Sequence, residues 1–107
     1  MDPIYETTLL FDFYGELLTE NQKNVCRMHI LEDYSLGEIS ETLQISRQGV
    51  HDSLKRALTA LRNYENTLHL VERFLKVRSL AQKARAAKEA EKDLLLDEIV
   101  HYTMEIE

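Results

Sequence analysis

The chain has 107 residues, 44% of them hydrophobic, with one proline and three glycines. That is enough apolar content to close one small core, and too few turn-forming residues for a sheet-rich or loop-rich fold. The formal net charge of −6, from 13 basic against 19 acidic residues, argues against indiscriminate adsorption to nucleic acid or an anionic membrane. The single cysteine, Cys26, excludes an intrachain disulfide.

The first predicted helix begins near Pro3, a residue tolerated in a first helical turn. Leu9, Leu10, Phe13 and Leu17 form its inward stripe, with Phe11 and Tyr14 flanking. Thr19 ends this helix and caps the next, and Gln22, three residues on, completes a capping box. The second helix runs to about Glu32, its apolar surface supplied by Val25, Cys26, Met28, His29 and Ile30. Cys26 there reads as a small buried hydrophobe. Asp33 and Tyr34 make the connection.

Ser35 and Glu38 form a second capping box, opening a short helix over about 36–43 with Leu36, Ile39 and Leu43 facing in. Only Gln44 and Ile45 separate it from Ser46, the cap of a fourth helix that starts at Arg47. Helices joined so tightly cannot lie antiparallel; they cross steeply. That arrangement is a helix-turn-helix, spanning about residues 35–57. Small Ser40 permits close approach of the second helix. Gln44 holds the turn position often given to glycine, where a left-handed backbone costs about 1 kcal/mol.

Beyond Arg47 there is no proline and the only glycine is Gly49, so helix can run far, with its weakest point at Asn63–Thr67. Two apolar stripes follow: Leu61, Tyr64, Leu68, Val71 and Leu75, then Leu70, Phe74, Val77, Ala81 and Ala84. A final apolar face carries Leu94, Leu95, Leu96, Ile99, Val100, Tyr102 and Met104. The expected organisation is all-α: a helix-turn-helix domain over 1–64 and a helical extension over 65–107 for packing or dimerisation. Leu68, Val71, Leu75, Leu95 and Ile99 are the candidate dimer contacts, because a symmetric pair gives a helix-turn-helix two half-sites.

On a wheel centred on Val50, the far side of the fourth helix carries Gln48, His51, Asp52, Lys55 and Arg56, with Arg47 at the edge. This polar face suits a helix that enters a major groove. Ser46 and Arg47 would meet phosphate at the helix N-terminus, and Gln48, His51 and Lys55 would reach base edges. Between residues 47 and 62, Arg47, Lys55, Arg56 and Arg62 stand against Asp52 alone, so the reading helix is the basic part of an acidic chain. Few phosphates are neutralised per copy, which predicts weak binding by a monomer and a shallow salt dependence. DNA is favoured over RNA as the partner. Asp52 repels phosphates but could accept a hydrogen bond from a cytosine amino group.

Leu10-Phe11-Asp12-Phe13-Tyr14, Leu17-Leu18-Thr19 and Gln22-Lys23 resemble the start of the YlxM-like family of small bacterial helix-turn-helix proteins. So do Leu31-Glu32-Asp33-Tyr34-Ser35-Leu36-Gly37-Glu38-Ile39, Ser46-Arg47-Gln48-Gly49-Val50 and Lys55-Arg56. The resemblance is specific over about residues 9–64. It implies a motif related to region 4 of sigma factors, an all-helical dimer, and DNA binding. It also implies a role near the signal recognition particle, because the family's genes neighbour those of the particle's GTPase and its receptor. The chain departs from the family pattern at Gly49, where alanine is usual, and at His51, where tyrosine is usual. A second reading is an adaptor that docks on the signal recognition particle GTPase without nucleic acid; the acidic balance and Asp52 favour it.

His29, His51, His69 and His101 lack metal-ligand spacing, and no nucleophile elbow or glycine-rich phosphate loop occurs. The sequence therefore predicts neither cofactor, metal nor catalysis. With neither a basic apolar leader nor a membrane-length run, the expected location is the cytoplasm and no membrane partner is expected.

Overall fold

The computed structural model describes residues 3–104, the side chains of Ala90 and Met104 excepted; the contribution of Met104 to the final apolar face lies outside the described residues. The described residues are helical with no strand, and the chain divides into two units, one ending at Leu68 and the other beginning at His69.

The first unit begins with α1, Pro3–Tyr14, which tightens into a 3₁₀ turn at Gly15–Leu17. Leu9, Leu10 and Tyr14 are buried on α1. Tyr14 is 1% exposed, whereas Phe13 and Leu17 remain 37% and 55% exposed. The expected stripe is thus corrected at two positions. Three residues per turn replace 3.6 after Tyr14, which rotates Leu17 outward and brings Leu18 into the core. Gly15 leaves room for the Phe11 ring: a Cβ there would stand 3.0 Å from it.

Next comes α2, Glu20–Cys26, opened by the capping box in which Thr19 Oγ1 accepts from the Gln22 amide and the Gln22 side chain accepts from the Thr19 amide. It widens into a π turn over Arg27–Leu31, where the Glu32 amide donates to the Arg27 carbonyl at 3.1 Å. Asp33 then takes a left-handed conformation (φ 58°) and reverses the chain. Val25, Cys26 and Met28 are buried, while His29 is exposed and its Nδ1–H donates to the Tyr34 carbonyl at 3.0 Å. Burial pushes the Cys26 thiol up to about 11, so it is a neutral apolar filler at physiological pH.

The short α3, Leu36–Leu43, and the long α4, Arg47–Leu68, meet at an elbow. Gln44 is left-handed (φ 56°, ψ 45°), and its amide donates to the Ser40 carbonyl. Ser40 does more than stay small: its hydroxyl donates to the Ile45 carbonyl at 2.5 Å and ties the elbow to α3. Beneath the elbow, Ile39 and Val50 join Val25 and Met28 of the preceding helical segment in one core, flanked by Leu36, Leu43, Ile45 and Leu54. All of α1, α2 and α3 pack on α4, which is the spine of this unit.

Helix α4 continues through Asn63–Thr67, where its weakest point was expected. Tertiary contacts override the poor local propensity there. The Tyr14 hydroxyl donates to Glu65 Oε1 at 2.5 Å, and the Tyr14 and Tyr64 rings lie 6.0 Å apart. The interruption falls instead at His69, which is left-handed (φ 55°). The second unit is a pair of helices, α5 at Leu70–Ala86 and α6 at Glu89–Met104, packed on one another.

The α3 cap has a pH signature. Glu38 Oε1 accepts from the Ser35 amide at 3.0 Å, and Ser35 Oγ accepts from the Glu38 amide at 3.1 Å. The bond from the Ser35 amide, then that with the Ser35 side chain, holds the Glu38 carboxyl below its ordinary value of 4.5. A depressed carboxylate stabilises fully above its unfolded value and loses that contribution as pH falls through its folded value. Glu38→Gln is therefore expected to flatten the acid limb of the stability curve below about pH 4.5, measured by thermal melts across pH. An unchanged acid limb would show that the cap does not contribute.

Candidate nucleic-acid interface

Helix α4 starts where it does because Ser46 caps it: Ser46 Oγ accepts from the Gly49 amide at 2.9 Å. From there the 3.6-residue period buries Val50, Ala57 and Leu61 and half-buries Leu54. The same period turns Gln48, His51, Asp52, Lys55 and Arg56 to solvent, and all five are exposed, as are Ser46 and Arg47. Six of these seven residues were assigned nucleic-acid contacts on sequence grounds, and the exception is Asp52. They share one end and one face of a single helix.

They are not equally available. The Arg47 guanidinium folds back over α3: a Cβ on Gly37 would stand 2.9 Å from Arg47 Nη2 and 3.1 Å from its Cζ. Gly37 thus provides a seat for a cation that bridges the starts of both helices of the motif. Gln48 Nε2 donates to Asp52 Oδ1 at 2.9 Å, an i to i+4 bond along the face. His51 Nδ1 lies 3.6 Å from the same oxygen. These contacts hold the Asp52 carboxyl below its ordinary value of 3.8, chiefly through the Gln48 hydrogen bond and further through His51 and the Arg56 charge, against a partial loss of hydration. Lys55 and Arg56 form no ion pair among the described residues.

Lys55 and Arg56 line an open depression along α4 with Asp52 and Thr59. Arg56 also borders a second depression, where Thr19, Asn21 and Gln22 at the start of α2 face α4. There Ser53 Oγ donates to Asn21 Oδ1 at 2.6 Å, pinning α2 to the flank of the reading helix. Sequence reasoning missed this pair because the two residues are 32 positions apart and no local pattern relates them.

The five candidate dimer residues are scattered in exposure. Leu68 is exposed, Leu75, Leu95 and Ile99 are partly covered, and Val71 is buried within the chain itself. The more open apolar side chains of the second unit are Leu94, Leu96 and Val100 on α6. Among the described residues there is no cluster of His, Cys, Asp or Glu able to hold a metal ion, and no helix is long and apolar enough to cross a membrane.

Two helices crossing at a short left-handed elbow, the second offering an exposed polar face, define a helix-turn-helix protein. Residues 1–99 match the family model UPF0122, described as "Putative helix-turn-helix protein, YlxM / p13 like", and the chain belongs to this family. Its similarity to a UPF0122 protein of Thermoanaerobacter sp. (strain X514) is 53% identity over 78 residues, covering 73% of this chain and 67% of the relative. The UPF0122 protein of Oceanobacillus iheyensis is 48% identical over 85 residues, covering 79% of this chain and 81% of the relative. That of Listeria innocua is 41% identical over 97 residues, covering 91% and 86%. The family resemblance read from residues 9–64 is thus established, and it extends well into the second unit.

Proposed function

We propose that the protein is a non-catalytic, DNA-binding regulator that inserts the first turns of α4 into a major groove. The observation that carries this reading is the pair Lys55 and Arg56: exposed, without an ion pair among the described residues, and on the same helix face as Gln48 and His51. Cations without carboxylate partners can meet phosphates without first breaking an ion pair. Ser46 and Arg47, at the helix start, contact the backbone of one strand; Gln48, His51 and Lys55 approach base edges; Arg56 meets phosphate. DNA is preferred to RNA because the major groove of B-form duplex admits a helix, whereas that of A-form RNA is too narrow.

Two copies acting together would compensate for the small number of phosphates one copy can reach. Leu96 and Val100, exposed and one turn apart, give α6 an apolar surface suited to a second copy; of the earlier candidates Leu68, Leu75, Leu95 and Ile99 remain available, and Val71, buried within the chain, does not. The resemblance to YlxM-like proteins supports a cytoplasmic site of action tied to the signal recognition particle. Asp52 supports a second reading, an adaptor docking on that particle's GTPase, since a carboxylate within the face disfavours phosphate.

Lys55→Ala with Arg56→Ala is expected to weaken binding to duplex DNA at low salt. The slope of log affinity against log salt should fall by about one for each phosphate that is no longer neutralised. A gel-shift titration in which the double variant binds as wild type would refute this interface. For the pairing, Leu96→Glu with Val100→Glu is expected to convert a dimer to a monomer in analytical ultracentrifugation. A wild-type protein that sediments as a monomer at all concentrations would contradict it.

A further inference from the structure

We infer that Asp52, held in place by Gln48, is a base-selecting hydrogen-bond acceptor that admits an amino-bearing base, cytosine or adenine, and rejects guanine and thymine on the strand it faces. The inference rests on the DNA-binding reading above and specifies what that face selects.

A glutamine on a reading helix can serve adenine by donating to N7 and accepting from N6. Here the Gln48 amide nitrogen is already committed to Asp52 Oδ1 at 2.9 Å. One of its two amide hydrogens is thus spent on orienting the carboxylate. Asp52 offers only acceptors when ionised, and its carboxyl, held below its ordinary value of 3.8, is ionised at neutral pH. Its Oδ1 is occupied by Gln48, with His51 Nδ1 at 3.6 Å, and its second oxygen is the open one. The side chains of His51 and Asp52 are 57% and 51% exposed, so the carboxylate faces solvent and not the core.

The face therefore presents a carboxylate oxygen as an oriented acceptor. In the major groove the only donors are the N4 amino group of cytosine and the N6 amino group of adenine; guanine O6 and N7 and thymine O4 are acceptors. A carboxylate oxygen set against guanine or thymine leaves both sides unpaired and desolvated, which disfavours those bases. Lys55 and Arg56, three and four residues beyond Asp52, offset the phosphate repulsion that an isolated carboxylate would suffer. Asp52 acts here as a filter: it contributes discrimination at some cost in affinity.

The test is selection from a randomised duplex DNA pool by wild type, Asp52→Asn and Gln48→Ala, followed by fluorescence anisotropy on the recovered sites and their single-base variants. Wild type is expected to enrich cytosine or adenine at one position of each site and to bind the guanine or thymine variant about tenfold more weakly. Asp52→Asn, which gains an N–H donor, is expected to accept guanine and thymine there within about twofold and to bind mismatched duplex no worse than wild type. Gln48→Ala is expected to keep the preference for amino-bearing bases with a smaller margin. If Asp52→Asn keeps the wild-type preference, or weakens binding to every duplex equally while melting as wild type does, the filter is refuted and the DNA-binding reading survives. If wild type binds no DNA, or only RNA, both fall together.

Discussion

The crossing of α3 over α4 is the constraint on which the rest depends. Ile39 and Val50, both fully buried, sit where the two helices meet, with Val25 and Met28 closing the same core from below. Packing at that point determines which residues of α4 can face outward, because the 3.6-residue period leaves no freedom once Val50, Ala57 and Leu61 are committed inward. The elbow holds α3 against α4. Gln44 accepts the strain of a left-handed backbone, and the Ser40 hydroxyl on the Ile45 carbonyl holds the turn against α3.

Much of this was legible in the sequence because it rests on local rules. Both capping boxes, at Thr19 with Gln22 and at Ser35 with Glu38, formed as the spacing required, and the start of α4 followed from Ser46. The left-handed residue is Gln44, which holds the turn position often given to glycine. Local rules failed where helix geometry departed from 3.6 residues per turn. The 3₁₀ turn after Tyr14 exchanged Leu17 for Leu18, and α1 buried Tyr14 in place of Phe13. They failed also where distant residues decide the matter. The Tyr14 bond to Glu65 carries α4 past Asn63–Thr67, and the Ser53 bond to Asn21 joins segments with no shared pattern.

The candidate interface shows the same division. A helical wheel gives its membership, since one side of α4 must be polar. It does not give the state of each side chain. That Arg47 lies over Gly37 and that the Gln48 amide is turned to Asp52 are properties of three-dimensional placement, and they change the chemistry on offer. A glutamine expected to reach base edges has one amide hydrogen turned to a neighbouring carboxylate, and the aspartate expected to repel phosphates lies hydrogen-bonded on the same face. The acidic balance of the whole chain, −6, makes this concentration of exposed cations on one helix more informative than it would be in a basic protein.

The most direct test of the account is a nuclear magnetic resonance titration of the isotope-labelled protein with duplex DNA, read residue by residue. Backbone amide shifts and broadening should concentrate between Ser46 and Arg56, with weaker effects at the start of α2 near Asn21, and should reverse on adding salt. Perturbations confined to α5 and α6, or none at all, would contradict it.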